Sequence, residues 1–133
     1  MSGNVFLDTN IFIYTYSEDL NKKERSLKLL NLSCITSTQV LSELSNVCFK
    51  KLKFSDKEIS TVIREVMDSC DIFIVNERTI QRAIFIKSRY GYSYYDSLIL
   101  SSALESNCSN LYSEDLQHGQ IVENSLKIVN PFV

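Results

Sequence analysis

The residues of this sequence that could perform chemistry are acidic ones that follow short apolar segments. Asp8 comes directly after the apolar segment 4–7, and Glu114 and Asp115 follow a second one at 110–112. In open α/β sheets, ligands bind beyond the carboxyl ends of the strands, which is where such residues would lie. For each of them alone, a loop carboxylate that caps the next helix is the simpler interpretation. Their significance therefore depends on the other acidic residues.

Asp96 is a carboxylate in a helical segment that is otherwise apolar. On a helical wheel drawn at about 100° per residue, four apolar side chains that follow Asp96 point on average within about 10° of the direction of Asp96 around the helix axis. These side chains are Ile99, Leu100, Ala103 and Leu104. Asp96 is therefore predicted at the centre of the apolar face. An unpaired carboxylate on an apolar face costs several kcal/mol, which favours a function. The alternative is that Asp96 closes a capping box with Ser93, three residues earlier.

Glu43 gives a weaker signal of the same kind, because it lies about 100° from the centre of its helix's apolar stripe. Such a glutamate alone is usually solvated. If Asp8, Glu43, Asp96 and Asp115 converged, each pair about 4 Å apart would repel by ~4 kcal/mol at an effective dielectric constant of 20. No lysine or arginine lies close to any of the four in the sequence. A bound hard cation is the simplest way to neutralise them, and oxygen ligands favour Mg²⁺ or Mn²⁺.

Composition bounds the class of protein. The chain has 133 residues, 44% of them hydrophobic and 23% charged, which predicts one soluble domain spanning residues 1–133. No apolar segment approaches the ~20 residues of a membrane span, and the start does not resemble a signal peptide, so we expect no membrane association. Four scattered cysteines without a CxxC pair, and a single histidine, argue against zinc and favour reduced thiols and a cytoplasmic location.

Charge is distributed unevenly along the chain. Residues 21–53 carry seven basic side chains and two acidic ones, whereas residues 90–133 carry one basic side chain and five acidic ones. A basic region opposite an acidic one fits a protein that binds a polyanion and concentrates carboxylates elsewhere. We therefore expect phosphate contacts from the stretches Lys22–Lys28 and Lys50–Lys53. Solvated helix faces without a partner are the alternative.

Short apolar segments alternate with helical patterns along the chain. The sequence predicts strands at 4–7, 34–36, 72–75, 110–112 and 127–129, and helices at 10–16, 20–31, 37–48, 55–68, 76–90 and 93–104. Ser37, a Ser55–Glu58 capping box and Gly91 supply helix start and stop signals. Short all-apolar strands separated by helices imply an α/β fold, a three-layer α/β/α sandwich with a central, mostly parallel sheet.

Four segments together resemble the PIN-domain nucleases, and within them the VapC-type toxins of bacterial toxin–antitoxin pairs. The segments are Phe6–Tyr14, Ser37–Leu44, Tyr95–Ala103 and Leu111–Gly119. A lone Asp-Thr-Asn would be weak evidence. The four acidic residues, however, follow one another at intervals of 35, 53 and 19 residues in the order of the family, and the likeness covers the whole chain.

The resemblance implies a catalytic metal cluster made of Asp8, Glu43, Asp96 and Asp115, with Glu114 as the alternative to Asp115. It further implies that Thr9, Asn10 and Ser113 orient the carboxylates or the attacking water. Possible substrate contacts are Lys50, Lys51 and His118, although a lone histidine after a strand is more often structural.

Family resemblance also implies the activity and the partners. Members cut RNA with Mg²⁺ or Mn²⁺, leaving a 5′-phosphate and a 3′-hydroxyl, and the toxins form homodimers inhibited by an antitoxin protein. Aromatic residues at Tyr14, Tyr16 and Phe49 are candidate dimer surfaces. We therefore expect a metal-dependent endoribonuclease, the toxin of a toxin–antitoxin pair.

Two other classes of function are consistent with the same fold. One is a catalytically silent PIN-like module that binds RNA or protein. Another is an α/β phosphatase with an aspartyl nucleophile, but such enzymes usually need Asp-x-Asp after the first strand, and the third position here is Asn10. A response-regulator receiver domain is disfavoured by the same region, which lacks an acidic pair beside the first strand.

Overall fold

The computed structural model describes residues 4–133, in which short strands and helices alternate as the sequence predicts. The elements are β1 (Val5–Leu7), α1 (Thr9–Tyr14), α2 (Leu20–Leu29), β2 (Cys34–Ser37), α3 (Thr38–Lys50), α4 (Asp56–Ser69), β3 (Asp71–Phe73), α5 (Glu77–Tyr90), α6 (Tyr94–Glu105), β4 (Asn110–Tyr112), β5 (Ile121–Val122) and β6 (Leu126–Val129).

One six-stranded sheet, in the order β3-β2-β1-β4-β6-β5, lies at the centre of the fold. Strand β1 pairs in parallel with β2 on one side and with β4 on the other, so that Leu7 lies opposite Tyr112. Only β5 runs antiparallel, against β6. This mostly parallel sheet flanked by helices confirms the predicted α/β/α class. It brings the carboxyl ends of β1, β2 and β4 to the same edge, because the three are parallel neighbours.

Helix boundaries follow the predicted capping signals. The hydroxyl of Ser37 accepts a 3.3 Å hydrogen bond from the Val40 N–H at the start of α3. Ser55 and Glu58 form both bonds of a capping box at the start of α4. Helix α5 ends at Gly91, whose φ of 79° lies in the left-handed region that glycine adopts without strain.

Some boundaries differ from the prediction. The helix predicted from residue 10 begins at Thr9, because the Asp8 side chain accepts a hydrogen bond from the Thr9 N–H. The strand predicted at 72–75 is the segment Asp71–Phe73, and Ile74 beyond it is 70% exposed. Strand β5 was not predicted, because it has only two residues.

Fully buried side chains of the sheet and the surrounding helices make the core; among the largest are Phe6, Leu7, Ile11, Leu100 and Leu111. Helix α6 is buried on every side from Ser97 to Leu104. The predicted division of this helix into an apolar and an exposed face is therefore wrong for this stretch. Within residues 4–133, none of the helices is both long and apolar enough to cross a membrane.

Candidate active site

Asp8 lies at the carboxyl end of β1 and is only 5% exposed. One of its carboxylate oxygens accepts a 2.7 Å hydrogen bond from the Thr9 N–H, which caps α1. The other accepts a 2.7 Å hydrogen bond from the hydroxyl of Ser113, beyond the end of β4. The buried carboxylate is thus held by residues from two neighbouring strand ends.

Thr9 connects this carboxylate to α3. Its hydroxyl donates a 2.6 Å hydrogen bond to Glu43, which is half-buried. The second oxygen of Glu43 accepts a 3.2 Å hydrogen bond from the amide of Gln39, one helical turn earlier. The same amide donates to the backbone carbonyl of Tyr95 at 3.1 Å, which ties α3 to the start of α6. The side chain of Glu43 therefore points towards the edge of the sheet at which Asp8 lies, and not into solvent.

Asp115 is exposed and is held by the first helix. The side-chain amide of Asn10 donates to its carboxylate at 3.0 Å and accepts from the Glu114 N–H at 3.3 Å. The Asp115 N–H donates to the hydroxyl of Ser113 at 3.2 Å. Ser113 thus connects Asp115 to Asp8, and Asn10 fixes the loop that follows β4.

Asp96 is the third residue of α6 and is half-buried. The hydroxyl of Ser93 accepts a 3.2 Å hydrogen bond from the Asp96 N–H, which is one half of the predicted capping box. The reciprocal bond from the Ser93 N–H to the Asp96 carboxylate is not formed, in contrast to the complete boxes at the starts of α4 and α5. The carboxylate of Asp96 is therefore not needed to cap its helix.

The charges of these groups affect one another. Burial, together with smaller effects of the charges of Glu43 and Asp115, raises the pKa of Asp8 to about 6, against the hydrogen bonds from Ser113 and Thr9. Burial likewise raises the pKa of Asp96, against a hydrogen bond with the Ser93 side chain, and the charges of Asp115 and Glu43 act in the same direction as burial. The four carboxylates named from the sequence are therefore close enough to interact electrostatically.

No basic side chain compensates them within the described part of the chain. The ion pairs there join Lys22 to Glu114, Arg82 to Glu105 and Arg89 to Glu123. None involves Asp8, Glu43, Asp96 or Asp115. Four acidic groups thus share one edge of the sheet without a cationic partner, an arrangement that concentrates negative potential.

Glu114, the alternative to Asp115, has a different environment. Its carboxylate accepts a 2.8 Å hydrogen bond from the Lys22 ammonium group and a second one from the Tyr14 hydroxyl. The ammonium group also lies 4.5 Å from the centre of the Tyr14 ring. This contact joins α2 to the loop after β4 across 92 residues, and nothing local in the sequence indicates it.

Gln39 is a site residue that the sequence analysis missed. Its spacing of four residues before Glu43 places both on one face of α3, which is the signal that could have found it. The carbonyl oxygen of its side chain is buried and has no hydrogen-bond partner among residues 4–133. The edge therefore contains a free oxygen acceptor beside Glu43.

The four carboxylates offer only oxygen atoms as metal ligands, which suits a hard cation. As placed, however, no three His, Cys, Asp or Glu side chains among residues 4–133 are arranged to hold a metal ion. Their carboxylate oxygens instead accept hydrogen bonds from Thr9, Ser113, Asn10 and Gln39.

Within residues 4–133, the three predicted substrate contacts form no hydrogen bond or ion pair with this cluster. Lys50 and Lys51 are exposed at the carboxyl end of α3. Nδ1 of His118 accepts a 2.9 Å hydrogen bond from the Asn130 N–H, so this ring connects two loops.

Of the aromatic residues considered as dimer surfaces, Tyr16 and Phe49 are exposed. Tyr14 is half-buried, with its ring edge-on to Phe132 at 4.9 Å between centroids. The expectation that Tyr14 presents an exposed face is therefore wrong, because the chain's own C-terminal segment covers it.

Several solved structures share this fold. A toxin–antitoxin complex from Klebsiella pneumoniae is 17% identical, with 96% of this chain and 97% of that chain covered and a TM-score of 0.72. VapBC2 from Rickettsia felis, bound to a DNA fragment from its promoter, is 19% identical over 96% and 99% of the two chains, with a TM-score of 0.70. VapC20 from Mycobacterium tuberculosis, a sarcin–ricin loop cleaving toxin, is 14% identical over 84% and 91%, with a TM-score of 0.66.

No curated protein matches the chain in sequence. A family model, however, described as the PIN domain, matches residues 5–123. This match includes all four acidic residues and every element from β1 to β5. It confirms the resemblance drawn from the four sequence segments: the chain belongs to the PIN domain family.

Proposed function

We propose that this chain is a metal-dependent endoribonuclease and the toxin of a toxin–antitoxin pair. The observation that carries the proposal is the electrostatic interaction of four carboxylates at one edge of a parallel sheet, with no basic partner among residues 4–133. They are those of Asp8, Glu43, Asp96 and Asp115. Burial and mutual repulsion of such charges cost free energy, which a bound cation would offset.

Asp8 and Asp96 hold the principal Mg²⁺ or Mn²⁺ ion in this proposal, and Glu43 and Asp115 complete the site or hold a second ion. Such an ion lowers the pKa of a water molecule and neutralises charge on a scissile phosphate. Hard oxygen ligands suit these two cations better than zinc or copper.

The neighbouring residues have positioning roles in this proposal. Thr9 holds Glu43 and, through its N–H, Asp8. Ser113 holds the second oxygen of Asp8, and Asn10 holds Asp115. Because the hydrogen bonds from Thr9 and Ser113 lower the pKa of Asp8 against the effect of burial, they favour the ionised form that binds a cation.

The structural neighbours support the substrate class and the partner that we propose. One is described as cleaving the sarcin–ricin loop, and others as toxin–antitoxin complexes. We infer that this chain cuts RNA in the cytoplasm, acts as a homodimer and is inhibited by an antitoxin protein. Growth arrest on expression, relieved by co-expression of the reading frame directly upstream, would support the antitoxin; arrest that persists would count against that frame.

A second candidate function is a silent PIN-like module that binds RNA or protein without cutting it. One observation favours it: as placed, no three acidic, cysteine or histidine side chains in residues 4–133 form a group ready for a metal ion. The two candidates differ in whether the protein cleaves RNA when a divalent cation is present.

Cleavage of labelled total RNA by the purified protein tests the proposal. The reactions contain Mg²⁺, Mn²⁺ or EDTA, and the variants Asp8→Asn and Asp96→Asn are compared with Asp68→Asn, which removes an exposed carboxylate from α4. We expect discrete fragments with a 5′-phosphate from the wild type and from Asp68→Asn in either metal ion. EDTA and both site variants should abolish them.

The same samples distinguish the alternative. If RNA stays intact under every condition while the wild type and both site variants bind it equally well, the binding module is correct and the nuclease is not. Cleavage that persists in EDTA or in Asp8→Asn would also reject the proposal, because it would not depend on the acidic cluster.

A further inference from the structure

Two cysteines at the opposite end of the sheet from the acidic cluster have their sulfur atoms in contact. The Sγ atoms of Cys34 and Cys70 lie 2.8 Å apart, although the residues are 36 positions apart in the chain. Both are free thiols and buried, with 4% and 6% exposure. Cys34 is the first residue of β2, whereas the site edge begins beyond the last residue of that strand, Ser37.

The backbone around the pair has the geometry of a disulfide between neighbouring strands. Ile35 pairs with Asp71 in the parallel register of β2 and β3, so the cysteines directly precede a paired position on both strands. Cys70 has extended dihedral angles, φ −130° and ψ 150°. Neighbouring strands lie about 4.8 Å apart, and disulfides join Cα atoms that are roughly 4.4–6.8 Å apart. The spacing of neighbouring strands is therefore compatible with a bond between the two sulfur atoms, which lie 2.8 Å apart.

A surface cavity adjoins the two cysteines. It has a volume of about 190 Å³ and is also lined by Ser33, Met67 and Asp68. The remaining two cysteines, Cys48 and Cys108, are free and buried too, but neither contacts another sulfur atom within the described residues. Cys34 and Cys70 are thus placed to react with each other, and Cys48 and Cys108 serve as controls for buried cysteines without a sulfur neighbour.

We propose that Cys34 and Cys70 are a redox modification site, at which a hydroperoxide converts the two thiols into a reversible intrachain disulfide. The proposal does not depend on the nuclease activity, because the pair lies about 10 Å along β2 from the site edge, at 3.3 Å per residue. The disulfide would join β2 to β3 and close the loop that contains α3 and α4.

The chemistry balances with hydrogen peroxide as the only co-reactant. The Cys34 thiolate attacks one peroxide oxygen, the O–O bond breaks, and hydroxide leaves as a sulfenic acid forms on Cys34. The Cys70 thiol then attacks that sulfur, the S–O bond breaks, and water leaves with the Cys70 proton as the S–S bond forms. Two sulfur atoms have lost two electrons, and the peroxide has become water.

The contact between the two thiols favours Cys34 as the attacking group. The contact with the Cys70 thiol, in which either sulfur can donate, lowers the pKa of Cys34 against the effects of burial and of the Asp71 carboxylate. The same contact raises the pKa of Cys70, which therefore stays protonated until the second step. The lower pKa increases the thiolate fraction, on which the rate of the first step depends.

Peptide mapping of the folded full-length protein tests the proposal. Reduced protein is treated with hydrogen peroxide, its remaining thiols are alkylated, and it is digested without reductant. Trypsin alone leaves Cys34 and Cys48 together in the peptide 29–50, so a glutamyl endopeptidase is added to separate them after Glu43. We expect peptides 29–43 and 66–77 to appear joined, with a mass lower by two hydrogen atoms than their sum, and to separate on reduction.

Thermal stability provides a second readout. Oxidation should raise the melting temperature of the wild type and of Cys48→Ser, because the cross-link restricts the unfolded chain, and should not raise that of Cys34→Ser or Cys70→Ser. Alkylation of all four cysteines after peroxide treatment, or linkage of Cys48 or Cys108 as often as the proposed pair, would overturn the proposal. If a serine variant does not fold, the wild-type peptide map decides the question.

Discussion

The hydroxyl of Ser113 donates a 2.7 Å hydrogen bond to Asp8, a residue 105 positions earlier in the chain. Both residues directly follow paired positions, since Leu7 lies opposite Tyr112 in the β1–β4 register. Ser113 is fully buried, and its bond lowers the pKa of Asp8, while burial raises it to about 6. The parallel register thus places a hydroxyl that favours the ionised form of the most buried carboxylate in the site.

Removing this hydroxyl tests its role. In Ser113→Ala, Asp8 loses a donor, so its pKa should rise above about 6 and the acidic limb of the rate–pH profile should move to higher pH. We expect RNA cleavage at pH 7 to fall by about 10- to 100-fold, the usual effect of losing a group that orients a metal ligand. Initial rates between pH 5 and 9 at saturating Mg²⁺ measure both effects.

Ser102→Ala is the matched control, because Ser102 is equally buried but donates to the backbone carbonyl of Leu98 within α6. This variant should lose stability, by roughly 1 kcal/mol, without any movement of the profile. Identical pH profiles for wild type and Ser113→Ala would show that Ser113 does not act through Asp8.

Asp8 should make the metal-free protein less stable as pH rises. Its folded-state pKa, about 6, lies above its ordinary value of 3.8, so between these values the folded protein retains a proton that the unfolded chain releases. The free energy of unfolding therefore falls as pH rises through this interval, by about 3 kcal/mol from Asp8 alone, and levels off above it. Asp8→Asn removes that contribution.

Melting temperatures in EDTA at pH 4.5 and pH 7 measure the effect. The variant should melt at or above the wild-type temperature at pH 7 and show a smaller difference between the two pH values. Added Mg²⁺ should then raise the melting temperature of the wild type but not that of the variant, because a ligand stabilises only the state that binds it. A variant that melts well below the wild type at pH 7 would contradict this account.

Local signals in the sequence predicted the fold well. The Ser55–Glu58 capping box, the stop at Gly91 and the position of Asp8 after a strand depend on residues within a few positions of one another. Strand β5 escaped prediction because its hairpin turns through Glu123 and Asn124, both with positive φ, without the Asn-Gly pair that usually marks such turns.

The site was less predictable than the fold, because its geometry depends on long-range contacts. The spacing of the four acidic residues pointed to a family, but no local pattern indicates that Thr9 bridges Asp8 and Glu43 or that Lys22 reaches Glu114. The helical wheel was also a poor guide to Asp96, because it assumes one apolar and one exposed face. Helix α6 is buried all round from Ser97 to Leu104, and Asp96 is half-buried just before that stretch.

Asp96 can be separated experimentally from its helix cap. The Ser93 hydroxyl caps α6 through the Asp96 N–H, which an asparagine retains. In metal-free protein, Asp96→Asn should therefore keep or raise the melting temperature, because it relieves burial and repulsion of a charge. Ser93→Ala should cost about 1 kcal/mol of unfolding free energy. Urea titrations in EDTA measure both, and a loss in Asp96→Asn as large as in Ser93→Ala would assign the aspartate a structural role.

Glu114 and Asp115 are adjacent but should respond differently to loss of charge. Asp115→Asn should weaken cleavage and raise the Mg²⁺ concentration needed for half-maximal rate by at least about 10-fold. Glu114→Gln should cleave at close to the wild-type rate, because its carboxylate is bound by Lys22 and Tyr14. Its cost is at most about 1 kcal/mol of stability, the usual value of a partly exposed ion pair. Mg²⁺ titrations of the cleavage rate decide, and the reverse order would make Glu114 the fourth acidic residue.

Lys50 should contact substrate phosphates from the same helix that carries Glu43. Seven residues separate them, which is about 10 Å along α3 and nearly two full turns, so both lie close to one face. Lys50 and Lys51 are exposed, and no ion pair within residues 4–133 involves either.

In Lys50→Glu/Lys51→Glu, RNA binding should weaken, and the slope of log K against log salt should shrink by about 0.7 for each lost phosphate contact. Titrations in EDTA measure this slope without cleavage, and Lys57→Glu/Lys87→Glu reverses the same charge at exposed positions outside the basic stretches. Equal slopes for the two double variants would mean that the lysines of α3 act only through net charge.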